Sequence, residues 1–439
     1  MTINRVINRI GLIAIFATVL AAAVIAQKPG SAIPRQEKLL NGLKVLVWNN
    51  PAADKVTLKL RIHSGSSFDP QDREGVMKLL SESFFPNEAA REFFADELGG
   101  ELEVTCNYDY IQIDASSRTA EFLTMLETIS TAIANPILDK EATAALKTEL
   151  LGEVKQLARD PEYIADRAVA KRLFGTFPYG RPQMGSVESI QKIDFADLRF
   201  AKDRLVTADN ASLAVIGNVD PNLAFRAVRR YFGAWLKADK KIPSTFRQPD
   251  APAAAQLDLT MPDLANSEIR YAIRGFARSS VEFPAAETFS RILHRRFRDL
   301  TEKNSGLDST VSHDEHILPG AFVFRYKSQP APARLLPVVH QTGPGVADTP
   351  ILLLFNQQTT DAELAVAKNE ALGLLERRDL LDRWLDVDTY KITSVADELK
   401  AFQNVTSADI NALSQKLARE PVATVALAKA AATPPPTND

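Results

Sequence analysis

The sequence predicts an α+β protein made of two similar halves, and three observations carry that reading. Runs with a period of two, such as Val56–Ile62, are interleaved with runs of helical period, such as Gly75–Phe85. A polar, proline-containing stretch at 236–254 interrupts both patterns. Beyond it the pattern starts again, and pieces of the first half recur a little over two hundred residues later.

At 439 residues the chain is long enough for two to four domains and a sizeable core. A formal net charge of -3 implies neither a nucleic-acid nor an anionic-membrane partner. The first 26 residues read as a secretory signal peptide. Arg5 and Arg9 supply the basic start, Ile10 to Ala23 the apolar run, and Val24-Ile25-Ala26 the small residues before an expected cleavage. An uncleaved membrane anchor is the competing reading of the same residues. No cysteine follows the apolar run, so a lipid anchor is not expected. Cys106 is the sole cysteine, which excludes an intramolecular disulfide and reads as a structural thiol. Export without disulfides points to a bacterial periplasm.

Taken in order, 27–36 reads as an extended arm, and Leu43–Trp48 and Val56–Ile62 as strands across an Asn49-Asn50-Pro51 turn. The run Gly75–Phe85 is a helix with one wide apolar face, Val76, Met77, Leu79, Leu80, Phe84 and Phe85. A second helix spans Asn87–Leu98, and Gly99-Gly100 stops it. Strands at Leu102–Tyr108 and Tyr110–Ser116 precede helices at Thr119–Ala134 and Asp139–Ala158. Another helix starts at Ile193–Leu198, before a strand at Leu213–Ile216. After 236–254 the chain offers strands at Leu257–Met261 and Glu268–Ile273, a helix at Phe283–Leu300, a strand at Phe322–Lys327 and a helix from Asp361. Val405–Ile410 answers Ile193–Leu198, Val422–Leu427 answers Leu213–Ile216, and Asp361-Ala362-Glu363 answers Asp139-Lys140-Glu141. The Pro- and Gly-rich segment 329–350 breaks the correspondence. The domains are therefore expected at 27–235 and 255–429, with a linker at 236–254 and a disordered tail at 430–439.

On the helix 75–85, Lys78, Ser81 and Glu82 lie at i, i+3 and i+4 and so share one side. A His, a Glu and a His there would form the inverted zinc motif H-x-x-E-H: two imidazoles for the metal and a carboxylate to activate water. The frame Asn41-Gly42-Leu43-Lys44-Val45, Gly65-Ser66 and Gly75-Val76-Met77-Lys78-Leu79-Leu80-Ser81-Glu82 resembles that of the insulinase/pitrilysin zinc peptidases, including their processing-peptidase branch. Asp160-Pro161-Glu162 and Pro178-Tyr179-Gly180-Arg181-Pro182 extend the likeness. The resemblance implies two homologous α+β halves, each a mainly antiparallel β-sheet packed against helices, facing each other around a cavity.

The resemblance also assigns vestigial positions. Lys78, Ser81 and Glu82 replace the motif, and Glu153 keeps the place of the third zinc ligand. Arg298 and Ser309 fall where the family's substrate-gripping Arg and Tyr would be, near Gly306-Leu307. A protonated amine and a hydroxyl cannot do the work of an imidazole and a carboxylate base, so no catalytic residues, no metal site and no cofactor are expected, and zinc is disfavoured. Lys78 would instead neutralise Glu82, Glu153 or both, or form an ordinary solvated helix pair with Glu82. His313-Asp314-Glu315-His316 reads as a polar loop, and His63, His294 and His340 as structural or exposed.

The implied function is a non-catalytic subunit or peptide-binding partner. Its partner would be an active zinc-peptidase homologue in a heterodimer, or a second copy in a homodimer, and it could cradle extended peptides. An active zinc endopeptidase with altered ligands and a structural scaffold are the competing readings.

Overall fold

The structure is a computed structural model that describes residues 33–238, 246–303, 306–329 and 350–430. The expected signal segment, much of the linker, nearly all of 329–350, His340 and the tail beyond Ala430 lie outside those residues.

The first half runs β1 (Arg35–Lys38), β2 (Lys44–Asn49), β3 (Lys55–Ile62), α1 (Val76–Glu82), α2 (Glu88–Asp96), β4 (Leu102–Cys106), β5 (Ile111–Arg118), α3 (Phe122–Ala134), α4 (Lys140–Leu157), α5 (Pro161–Phe174), α6 (Val187–Lys192), α7 (Phe195–Leu205), β6 (Ala211–Gly217) and α8 (Pro221–Phe232). The second runs β7 (Leu257–Met261), β8 (Ser267–Arg274), α9 (Phe283–Glu302), β9 (Gly306–His313), β10 (Ala321–Ser328), α10 (Leu352–Phe355), α11 (Asp361–Arg377), α12 (Leu380–Tyr390), α13 (Val395–Asn404), α14 (Ser407–Leu417) and β11 (Ala423–Lys429).

The two sheets have the same plan. The first is ordered β1-β2-β6-β3-β5-β4 and the second β7-β11-β8-β10-β9. In each, one parallel pair (β2 with β6, β11 with β7) adjoins antiparallel neighbours. Dropping β1 makes the orders superimpose. The echo read in the sequence is thus an echo of topology. Capping repeats too: Asp194 opens α7 and Thr406 opens α14, each through a capping box.

Each sheet has one face against its own helices. On β3, Val56, Leu58, Leu60 and Ile62 point into the first core with Met77, Leu80 and Phe122. On β8, Ile269, Tyr271 and Ile273 join Phe289, Leu293 and Phe297 of α9. The opposite faces are covered by exchange between halves. Helix α5 lays Val169, Leu173 and Phe174 on Ala272, Val323 and Val425 of the second sheet. Helix α12 lies on the first sheet, where Trp384 meets Trp48 edge-on at 6.0 Å. Neither sheet is closed without a helix from the other half.

The connection between halves is strapped down where it is described. Arg172 donates to the carbonyls of Ala253 and Ala255, and Arg274 to that of Asp250. Phe246 packs edge-on against Phe68 and Phe177.

Candidate functional site

Helix α1 starts from a tight loop that its sequence explains. Gly75 has φ +108, where a side chain is strained, and a Cβ there would sit 3.1 Å from the Met184 carbonyl. The buried Asp69 carboxylate accepts from Gly75 N–H and Met77 N–H, both at 2.8 Å. Burial pushes its pKa up to about 7, although both amides and Arg181 oppose the shift. Arg181, from the Pro-Tyr-Gly-Arg-Pro segment, fastens the loop by donating to the Asp69 and Ser67 carbonyls at 2.7 and 3.0 Å.

Val76, Met77, Leu79 and Leu80 of α1 are fully buried, and the helix packs on α4, α7 and the edge strand β4. On its other side Lys78 and Glu82 form an ion pair, both partly exposed. Ser81 is buried, and its hydroxyl donates to the Lys78 carbonyl at 2.7 Å. Ser81 therefore bonds back onto its own helix. Glu153 stands exposed on α4, and no ion pair joins it to Lys78. Of the two arrangements open to Lys78, the structure shows the helix pair with Glu82. Beside them Cys106, at the end of β4, is half-buried, and burial pushes its thiol far above the ordinary range.

These groups do not fit a zinc ion. An ammonium stands where the first imidazole would be, already bonded to one of the two carboxylates, and the hydroxyl in place of the base is turned away. Among the described residues no three His, Cys, Asp or Glu side chains converge as a metal site. Arg298 and Ser309, expected from the resemblance at the substrate-grip positions, are not brought together as a grip either. Arg298 is on the exposed side of α9 beside Glu302, at 3.7 Å, while Ser309 is buried on β9 and accepts from Thr301 Oγ1 at 2.9 Å.

The densest chemistry lies instead between the halves. Arg61 on β3, 1% exposed, donates to Gln112 (2.6 Å), Asp386 (2.6 Å), Asp382 (2.9 Å) and Thr389 (3.3 Å), over the Tyr110 ring. Asp386 also takes Arg278 at 2.7 Å and Arg378 at 3.3 Å. Burial works against its charge, but Arg278 and Arg61 more than offset that and hold its pKa below the usual carboxylate range. Glu398 and Glu315 complete the set around Arg278. The other exchanged helix is held alike: Asp166 of α5 pairs with Arg270 and Arg325 of the second sheet.

The segment His313–His316 belongs to the same seam. The polar loop expected from the sequence holds for residues 314–316 only: His313 is the last residue of β9 and pairs with Phe322 of β10, and the loop that follows is not a solvated one. His316 Nδ1 bonds Asp109 of the first half at 2.8 Å and its ring stacks on Tyr179 at 4.1 Å. Glu315 pairs with Arg278 and Arg378, and His313 is buried beside Glu287. His63 bonds Thr389 and Ser212, both at 3.1 Å. Local pattern gives no sign of these partners, most of which are more than a hundred residues away. Arg61 gives no signal of its burial either, because it falls on the polar phase of an alternating strand, in line with Thr57 and Lys59.

Sequence comparison places residues 44–187 in "Insulinase (Peptidase family M16)" and residues 192–343 in "Peptidase M16 inactive domain". An uncharacterized zinc protease of Rickettsia felis is 24% identical over 210 residues, 46% of this chain and 50% of the relative. The chain thus matches about half the length of that relative. One of Mycobacterium bovis is 24% identical over 422 residues, 89% of this chain and 92% of the relative. The mitochondrial-processing peptidase β subunit of Blastocladiella emersonii is 23% identical over 272 residues, 60% of this chain and 58% of that subunit. Among solved structures, a peptidase M16 inactive domain from Pseudomonas fluorescens superimposes with a TM-score of 0.78 at 18% identity, over 92% of this chain and 99% of that one. The periplasmic protease PqqL from Escherichia coli gives 0.69 at 16% identity, over 92% of this chain and 48% of that one. At such identities the superpositions establish the fold. With both halves matched and the strand order repeated, the chain belongs to the insulinase family, peptidase family M16, as a homologue without the inverted zinc motif.

Proposed function

We propose that this protein is a non-catalytic partner of a zinc peptidase of its own family, exported to the periplasm, where it completes a two-unit assembly and holds peptide rather than cutting it. The observation that carries this reading is the Lys78–Glu82 pair, which joins a cation and a carboxylate of the chain at the two positions that the family resemblance assigns to the imidazole ligands. Lys78, Ser81, Glu82 and Glu153 are then relics of a zinc site, and Arg298 and Ser309 relics of a substrate grip. Two comparisons support a partner of the same kind. The PqqL chain is about twice as long as the part this chain covers, and a relative is a subunit of a processing peptidase. Periplasmic residence is supported by the apolar N-terminal run and by the fold shared with PqqL, a periplasmic protease. Peptide holding is supported by β4, an edge strand paired on one side to β5, which leaves a sheet edge for a further strand.

The test is affinity purification of the full chain from its native host, with metal analysis and a peptide-cleavage assay on the purified protein. Recovery of a family member carrying H-x-x-E-H, with cleavage confined to the complex, is expected. Chelator-sensitive cleavage by this chain alone would overturn the reading.

A further inference from the structure

A cleft of about 620 Å³ opens between the halves where β3 ends and β6 begins, a size typical of small-ligand sites. Phe68 and Phe246 wall it, their rings edge-to-face at 6.4 Å, with Leu205 and Leu318 beside them. Most polar groups on its surface are already engaged. Asp109 accepts from Tyr179 and is bonded to His316, and Tyr179 Oη accepts from Leu318 N–H at 3.0 Å. Asp209 accepts from Thr207 Oγ1 and from Ala238 N–H, and Ser64 accepts from Asn210.

Two side-chain donors on this surface, those of Ser67 and Arg204, have no hydrogen-bond or ion-pair partner among the described residues. Ser67 is 3% exposed and lines the cleft, yet its hydroxyl makes no hydrogen bond among the described residues. Arg204 lines the exposed side of the cleft and forms no ion pair among the described residues. A guanidinium and a hydroxyl beside aromatic walls complement an anion carried on an apolar body, and a planar carboxylate matches the guanidinium fork best.

We propose that this cleft binds a carboxylate joined to an apolar body, supplied by the C-terminal residues of a short peptide. The choice of a peptide over a free acid rests on the peptide-holding reading above; the carboxylate site itself does not. Arg204 would meet the carboxylate, Ser67 would donate a second bond, and Phe68 and Phe246 would flank the last side chain.

Isothermal titration of the full chain tests this with three probes: N-acetyl-Ala-Phe as the free acid, its C-terminal amide, and 3-phenylpropionate. The peptide acid is expected to bind, the amide at least tenfold more weakly, with a similar loss for the acid on Arg204→Gln and a smaller one on Ser67→Ala. Arg204 is exposed, so its variant should melt like the parent, which separates lost binding from lost fold. Equal binding of acid and amide, no effect of Arg204→Gln, or no binding of any probe would each overturn the site. Binding of 3-phenylpropionate without the peptide acid would overturn the peptide assignment alone. A failed titration leaves the co-purification result of the partner reading untouched, so the two can fail separately.

Discussion

The seam between the halves gives the sharpest prediction. Asp386 is 4% exposed and receives three arginines, Arg61 and Arg278 at 2.6 and 2.7 Å and Arg378 at 3.3 Å. Asp386→Asn keeps the shape and removes the charge. Asp382, Glu398 and Glu315 still serve Arg61 and Arg278, but the central anion is gone from a desolvated site. Breaking a buried pair on one side costs about 3–5 kcal/mol, because the partner's charge is left uncompensated. Three kcal/mol is a more than hundredfold loss in the folding equilibrium. Urea unfolding measures the total, and hydrogen exchange at β3 and α12 locates it, since opening of the seam should speed exchange there first. The double variant Arg61→Met with Asp386→Leu should recover part of the loss, with a coupling energy of about 1–3 kcal/mol. A cost for Asp386→Asn within about 0.5 kcal/mol of zero, the range of ordinary surface changes, would refute the claim that these charges hold the halves together.

Three further outcomes follow from the same geometry. Burial lowers the His316 pKa, but the Asp109 hydrogen bond and charge more than offset it, so the folded value lies above 6.5; the stability it confers is present below that pH and lost as pH rises through the folded value. The cost of His316→Gln should therefore be largest near about pH 5.5, roughly 1–2 kcal/mol, and shrink by about pH 8.5 in paired melts; a pH-independent cost would contradict it. Lys78→His with Glu82→His supplies two imidazoles one turn apart to join Glu153, and is expected to bind zinc stoichiometrically by metal analysis, without cleaving peptides because Ser81 still lacks a carboxylate; binding unaffected by adding Glu153→Gln would remove Glu153 from the relic site. Gly100→Ala would place a Cβ 1.8 Å from the Ser116 carbonyl, so a backbone shift costing about 1–3 kcal/mol should appear as a lower midpoint in denaturant.

What could be read from the sequence follows the range of the forces involved. Helix α1, the strands around it and the stop at Gly99, which has φ +65, are set by local pattern. So are the capping boxes that begin α7 and α14. The helices α5, α12 and α13 were not legible. In α12 the acids Asp382, Asp386 and Asp388 resemble a solvated face. They are instead turned toward Lys59, Arg61 and Lys44, more than three hundred residues earlier. Residues 27–36 read as an arm, yet Arg35–Lys38 pairs with β2 as an edge strand, because four residues are too few to show a period. On α1 the identities of Lys78 and Glu82 and their spacing sufficed to foresee their pairing. That Ser81 would be buried was not visible, because it depends on how α1 sits against its neighbours.

The swap of α5 and α12 has a consequence for how the polypeptide can be divided. A protease nick in the connecting segment near Pro252 would sever the chain but not the particle, since each fragment would still clasp the other's sheet with a helix of its own. Expressed alone, either fragment would bare a whole sheet face, apolar and cationic side chains together in each case, and would lack the surface that normally covers it. Despite its doubled plan, the described body of residues 33–430 depends on both halves at once.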